Sequence, residues 1–350
     1  MKPWRRPRRL PRPKKPMSDA IARCFVGFDT SNYTTSAAVT TLDTDGRPHV
    51  VANIKLPLPV SEGARGLRQS DAVFAHVKNL PEAIAQVRRV ISDQGLTVAA
   101  VGYSATPRDA EGSYMPCFLS GRVAAEAFSA GADVPVYAFS HQSGHIMAAL
   151  YSSGALFENR FMTAPFLAFH VSGGTTEAVI ATPRDGGFDV NLVGYGADLH
   201  AGQVIDRTGV MMGLAFPCGK EMEVLASEYM KNGPVKGLKV CVQDGICHLS
   251  GLENQAADLW RKTADAGHVS AYVLSFIGKT LRRMTEQIQE TLDAPLPVVY
   301  GGGVMSNKLV RPMLTAKAPW RCYFAEPVYS ADNAAGTSIL CAKEYVRSTP

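Results

Sequence analysis

The stretch FVGFDTSNYTTSAAVTT, residues 25–41, has a counterpart about 140 residues later in FLAFHVSGGTTEAVIAT, residues 166–182. Each is an aromatic-apolar run, a small polar turn, then a second apolar run. Such runs read as strand, turn, strand, and one plan used twice at domain-scale spacing marks a duplicated architecture. The first bend is read at Asp29, Thr30 and Ser31, the second at Ser172 to Thr176. Helical periodicity follows each hairpin: 71–93, with Pro81 expected to break or restart the helix, then 118–131 and a histidine-bearing helix from 141. The second half carries helical patterns at 202–213 and 269–292, the strand PVVYGGG at 297–303, a helix from Asn307 and a last helix after Asp332. Strands alternating with helices in two halves predict an α/β protein with a cleft between the halves.

Length and composition agree with this. A chain of 350 residues with 46% hydrophobic and 19% charged residues suits two globular lobes. No apolar run approaches the roughly 20 residues of a membrane span. The net charge of +5 is misleading, because eight of the 36 lysines and arginines lie in residues 1–16, which hold no acid. The remainder carries 28 bases against 31 acids. The opening MKPWRRPRRLPRPKKP reads either as a nucleic-acid or membrane-surface arm or as a disordered extension ahead of an initiator at Met17. Its prolines rule out a regular helix, and no apolar stretch follows to make a secretory signal. Seven scattered cysteines without a CxxC point to reduced thiols in a cytoplasm.

Four motifs carry chemistry. His141 and His145 sit four apart at a helix start, a spacing at which two rings share one metal ion or simply neighbour one another. Ser172-Gly173-Gly174-Thr175-Thr176 is a turn whose amides and hydroxyls suit phosphate, or a plain Gly-Gly hairpin turn. Facing the hydroxyl-rich first hairpin, it would form a phosphate clamp. Gly301-Gly302-Gly303, ending a strand before Asn307, suits close backbone approach to a nucleoside at a helix N-terminus. Asp332 reads as an N-cap of the last helix or as a carboxylate completing a His/His/Asp set. Asp206 binds a ribose hydroxyl or is merely solvated.

In order, DTSNYTTSAAV, SHQSGH, HVSGGTTEAV, AGQVIDRTGVMMGLAFPCG, YGGGVMSN and ADNAAGTSIL resemble the TsaD/Gcp family, once called O-sialoglycoprotein endopeptidases. The resemblance implies a duplicated actin-like ATPase (ASKHA) fold with two α/β lobes around a nucleotide cleft. It divides the chain into a basic extension (1–22), an N-terminal lobe with the histidine pair (23–150) and a C-terminal nucleotide lobe (151–350), the last helix returning to the first lobe. It implies transfer of a threonylcarbamoyl group from its adenylate to N6 of adenosine in tRNA, in the cytoplasm. His141, His145 and Asp332 would hold one divalent ion, iron or zinc. Ser172, Gly173, Gly174, Thr175, Thr176, Asp206, Gly219, Gly302, Gly303 and Asn307 would hold ATP, AMP or the acyl-adenylate. Asp29 and Ser31 are the candidate catalytic residues, and tRNA and a paralogous subunit are the implied partners.

The departures fall around the acyl-adenylate pocket. The first loop lacks two carboxylates and a cysteine of the family's pattern, Thr175 stands where the family usually has His, and Gln203 replaces Glu. The segment 104–118 replaces a Gly-Pro-Gly-Leu element. These leave open a divergent paralogue that transfers a carbamoyl-type group to a small molecule, or a nucleotide-binding subunit without catalysis. Basic surface for RNA would come from the tail, from local patches such as Arg88-Arg89 and Arg282-Arg283, or from a partner protein. Without a Glu between the histidines, HExxH-type zinc proteolysis is disfavoured.

Overall fold

The computed structural model describes residues 22–59 and 67–349. The basic stretch at residues 1–16 and Met17 lie outside the described residues. Among the described residues, one sheet holds β1 (Arg23–Ser31), β2 (Thr34–Leu42), β3 (Pro48–Pro57), β4 (Thr97–Thr106) and β5 (Val136–Ser140) in the order β3-β2-β1-β4-β5. The second holds β6 (Phe166–Val171), β7 (Thr176–Arg184), β8 (Gly187–Gly196), β9 (Val242–Gln243), β10 (Ile246–Cys247), β11 (Val298–Gly301) and β12 (Cys322–Phe324), in the order β12-β11-β6-β7-β8-β10-β9. In both, the antiparallel hairpin is extended by parallel strands beside its first member, the shared plan of two α/β lobes in an actin-like fold.

The first hairpin turns later than its sequence suggests. Asp29, Thr30 and Ser31 lie inside β1, opposite Ser36, Thr35 and Thr34, and Asn32-Tyr33 make the bend. Every β1 residue past Arg23 is buried, so its polar end is covered rather than looped out.

Helices α1 (Gln69–Gln94), α2 (Phe118–Ala132) and α3 (His141–Ser152) belong to the first half. Pro81 does not interrupt α1. An interior proline costs about 3 kcal/mol, and burial of Ala72, Ala75, His76, Leu80, Ala83 and Val87 along one stripe outweighs it. The second half contributes α4 (Ala201–Met211), α5 (Gly219–Tyr229), α6 (Ser250–Thr263), α7 (Ala266–Glu290), α8 (Val310–Thr315), α9 (Pro327–Ser330) and α10 (Ala335–Ser348). Alpha-helix α7 is the spine of this lobe, burying Val273, Leu274, Phe276, Ile277, Leu281 and Met284. The seven cysteines are unbridged. No helix among the described residues is long and apolar enough to cross a membrane.

Alpha-helix α10 packs on the first sheet and on α3 through small residues. A Cβ on Gly27 of β1 would lie 2.6 Å from the Ser338 nitrogen, and one on Gly336 would lie 1.8 Å from the Gly144 carbonyl oxygen. Backbone meets backbone there, so α3 and the chain just before α10 come together. Met147 and Leu150 of α3 share a core with Phe166, Val179 and Val299 of the second sheet, which sets α3 between the lobes.

Asp198 ties the loop after β8 to the start of α6. Its carboxylate accepts from the amides of Leu199, Leu249 and Ser250 and from Ser250 Oγ. Partial burial opposes the charge, but the Ser250 hydroxyl and these amides outweigh it and hold the carboxyl down at about 2. Its folded-state value is therefore depressed. The stabilisation is present above about pH 4, where the unfolded carboxyl is ionised, and is lost as the pH falls toward 2. Asp198→Ala is expected to cost about 1–2 kcal/mol at neutral pH. Urea unfolding at pH 7 and pH 2.5 should show the difference between variant and wild type shrinking at the lower pH.

Candidate metal centre and nucleotide cleft

Alpha-helix α3 begins at the end of β5, where Ser140 Oγ accepts from the Ser143 amide as an N-cap. Its first turn places His141 and His145 on one face, with their Nε2 atoms 2.9 Å apart. Asp332 arrives from the loop before α10, its Oδ1 3.3 Å from His145 Nε2 and 3.7 Å from His141 Nε2. Asn333 Oδ1 accepts from the Ala335 amide at the start of α10, whose N-cap position is Ala334, while Asp332 points to the histidines. The N-cap reading of Asp332 is thereby corrected: Ala334 holds the N-cap position of α10, no side chain caps it, and the acid faces the rings.

The three donor atoms can meet one ion. A point equidistant from atoms separated by these three distances lies about 2 Å from each, the length of a metal–imidazole or metal–carboxylate bond. Two imidazoles and a carboxylate leave room for exogenous ligands, as a reactive rather than a purely structural site requires.

Behind the set stands Asp29. Its Oδ2 accepts from His141 Nδ1 at 2.7 Å and from Ser104 Oγ, while Oδ1 accepts from the Ser31 amide. Donation from Nδ1 to this buried acid leaves the Nε2 lone pair directed at the common point, the role of a carboxylate behind a metal-bound imidazole. Burial disfavours the charged His141 ring, but Asp29 and then Asp332 outweigh it and push its pKa up to about 9. Burial likewise opposes ionisation of Asp332, yet hydrogen bonding to His145 and the charges of both rings hold it well below the carboxylate range. An ion would replace those protons at neutral pH.

His170, at the end of β6, was not singled out in the sequence. Its ring lies 4.6 Å from that of His145, and burial followed by the charge of His145 pushes its pKa down to about 3. Its position in HVSGG, immediately before the second turn, was the available signal. The Ser31 hydroxyl is buried without a hydrogen-bond partner among the described residues.

The second turn opens toward the same seam. Gly173 and Gly174 are exposed, and a Cβ on either would meet nothing within 4 Å. Ser172 Oγ accepts from the Gly174 amide, and Ser172 O accepts from Gly202 at the start of α4. Thr176 Oγ1 accepts from the Ala201 amide, which pins the turn to the N-terminus of α4. Amides and a positive helix end are thus gathered at one place. Of the three consecutive glycines, Gly302 is the one that backbone geometry demands: φ is +95° and a Cβ would lie 2.2 Å from Val171 O. Gly303 is open, and Asn307 Oδ1 accepts from the amides of Leu309 and Val310 ahead of α8.

Other candidates are engaged structurally. Asp206, read as ribose-binding or solvated, is half-buried, and its Oδ1 accepts from the Cys218 amide at 2.8 Å beside Gly219; burial raises its pKa. Gln203 Oε1 accepts from the His200 amide and caps α4. The Arg282-Arg283 pair is spent internally. Arg282 bonds Glu286 and the Leu314 and Ala316 carbonyls and lies over Trp320, while Arg283 pairs with Glu286 and Glu290. Arg88 and Arg89 are exposed, with Arg89 3.8 Å from Glu82.

Residues 59–339 match the family model described as TsaD, tRNA N6-adenosine threonylcarbamoyltransferase. The chain is 27% identical to the Maricaulis maris tRNA N6-adenosine threonylcarbamoyltransferase over 96% of this chain and 89% of that protein. It is 28% identical to the Streptococcus sanguinis protein of the same name, over 84% of each. Among solved structures, it superposes on T. kodakarensis HypF with a TM-score of 0.54 at 12% identity, covering 93% of this chain and 47% of that one, a likeness of fold alone.

Proposed function

The chain belongs to the TsaD family of tRNA N6-adenosine threonylcarbamoyltransferases, and from that membership we propose that it transfers a threonylcarbamoyl group from its adenylate to N6 of an adenosine in tRNA. The observation that carries the proposal is the convergence of His141, His145 and Asp332 on one point, beside His170 of the strand that leads into the Gly173-Gly174 turn. A divalent ion there, iron or zinc, would supply Lewis-acid polarisation of the acyl carbonyl.

This chain's residues do the rest. Asp29 is a positioning residue that holds the tautomer and direction of the His141 ring. The amides of Gly173 and Gly174, with the N-terminus of α4 and the hydroxyls of Ser172 and Thr175, bind the adenylate's phosphate. Gly302, Gly303, Asn307, Gly219 and Asp206 border the nucleoside side. The Ser31 hydroxyl, buried and without a hydrogen-bond partner among the described residues, is the candidate donor to the acyl group. The acceptor N6 attacks the carbamoyl carbon, the C–O bond to the phosphate breaks with its electron pair leaving on AMP, and the N6 proton passes to water. The chain forms no covalent bond in this scheme.

A second reading, carbamoyl-type transfer to a small molecule, draws support from the internal engagement of Arg282 and Arg283, which removes one of the two arginine pairs offered for RNA. Incubation with threonylcarbamoyl-AMP and unmodified tRNA, followed by nucleoside analysis, tests the first reading. Appearance of threonylcarbamoyladenosine is the expected result, and none from an active, metal-loaded protein with its partners present would leave the second. Gly174→Val should lower the rate and weaken AMP binding by about tenfold or more, roughly 1.4 kcal/mol. The position has open space, so this variant tests ligand approach and not folding. Calorimetry with AMP reads it.

A further inference from the structure

The loop joining β4 to α2 is firmly fixed at the seam. Pro107 O accepts from the Gln142 amide at 3.0 Å, and the Arg108 amide donates to Ser113 Oγ at 3.0 Å. Asp109 Oδ2 accepts from Ser140 Oγ at 2.8 Å and Ser143 Oγ at 3.0 Å, at the first turn of the histidine helix. This anchoring carries the Arg108 guanidinium across to the second lobe, where it pairs with Glu177 of β7. Glu177 stands directly opposite His170 in the β6–β7 ladder. Opposed residues of an antiparallel pair project their side chains on the same face, about 5 Å apart. His170 in turn lies against His145. A fixed cation is therefore two side chains away from the metal donors, on the segment where this chain departs from its family.

That cation has donors to spare. Arg108 is half-exposed at 49%, and Glu177 is its carboxylate partner among the described residues. Five N–H groups in a planar fork exceed what one carboxylate oxygen occupies. Two neighbouring cations are committed elsewhere: Arg184 lies between Asp109 and Asp189, and Lys55 donates to the Val328 carbonyl.

We infer that Arg108 is a specificity-determining residue that reads a free carboxylate on the acyl group being transferred, with Glu177 holding the guanidinium in orientation. The substrate class is then an adenylate of an N-carboxylated amino acid, not of bare carbamate. This inference rests on the acyl-adenylate reading above. A threonylcarbamoyl group carries an α-carboxylate for which a guanidinium fork is the natural complement, whereas a carbamoyl group has no carboxylate to offer it. Replacement of the amino-acid carboxylate by an amide should therefore cost affinity only while Arg108 is present.

The test uses calorimetry on the full chain with AMP, a non-hydrolysable adenylate of N-carboxythreonine, and the same compound bearing a threonine carboxamide. The wild type should prefer the acid over the amide by about tenfold or more. Arg108→Ala should abolish that preference while AMP affinity and thermal midpoint stay unchanged, and Arg108→Lys should recover part of it. Full acid-over-amide preference in Arg108→Ala would overturn the inference, as would a parallel loss of AMP affinity, which would mean a general anion or structural role. Wild-type protein that binds neither adenylate better than AMP would instead sink the acyl-adenylate reading itself.

Discussion

Asp332→Ala is expected to strip the bound ion and to slow acyl transfer by about a thousandfold. The wild type should carry one metal ion per chain by elemental analysis, and the variant close to none. Three protein donors hold the site, and loss of one leaves the two imidazoles 2.9 Å apart with no carboxylate to balance the ion. Lewis-acid stabilisation is worth several kcal/mol, and each 1.36 kcal/mol is a factor of ten in rate. The fold should survive, because Asp332 makes no cap of α10 and its side chain is a quarter exposed. Asp29→Asn provides the contrast. It keeps the ion's direct donors and loosens only the ring behind them, so a decline of about 10–100-fold in metal affinity is expected. A wild-type protein without stoichiometric metal would remove the basis of both expectations.

Gly336→Ala is expected to be the most destabilising single-methyl change in this part of the molecule. The added carbon would sit 1.8 Å from Gly144 O, 2.7 Å from Gly144 C and 2.8 Å from Ala148 N, all main-chain atoms that no rotamer change can move. Either α3 or α10 must shift bodily. Overpacking of a closed core costs 1–3 kcal/mol or more, so a loss of at least about 3 kcal/mol is expected here. Asp332 lies only four positions before Gly336, and the shift should also pull that donor from the histidines, weakening metal binding. Chemical denaturation and metal titration read the two effects. The neighbouring-type control is Gly303→Ala, where a Cβ would meet nothing, with an expected change below about 0.5 kcal/mol.

Much of this was readable in the chain because the relevant signals are periodic or local. Two hairpins of one design, apolar stripes at helical spacing and a His-x-x-x-His turn need no tertiary information. The errors have tertiary causes. The polar Asp29-Thr30-Ser31 run looks like a bend, but these side chains are buried inside a strand because Asp29 serves His141, a residue 112 positions away. Pro81 carries a local penalty that only the packed stripe of α1 outweighs. Asp332 and Asn333 are both plausible caps in sequence, and only the approach of α10 to α3 turns Asp332 to the rings. His170 was passed over because a lone ring in an apolar strand gives no hint of the helix that will lie against it. The Arg282-Arg283 pair looked basic from its neighbours in sequence, and its acids and carbonyls come from the next turns of α7 and from the end of α8.

The small-residue crossing of α10 also sets an order in time. Gly27 and Gly102 line a face of the first sheet against which residues 334–341 pack, with Phe139 beside Gly102, and those residues follow all five strands of the sheet in the chain. Although all five of its strands lie before residue 141, part of that face stays uncovered until residues 334–341 have been made. Asp332 belongs to that same late segment. A nascent chain that has not reached residue 332 can thus build the two histidines' helix but lacks Asp332, the third residue of the set. The set is in this sense split along the chain: a polypeptide terminated between the histidine helix and residue 332 is expected to bind no ion at this point, however well its earlier part has folded.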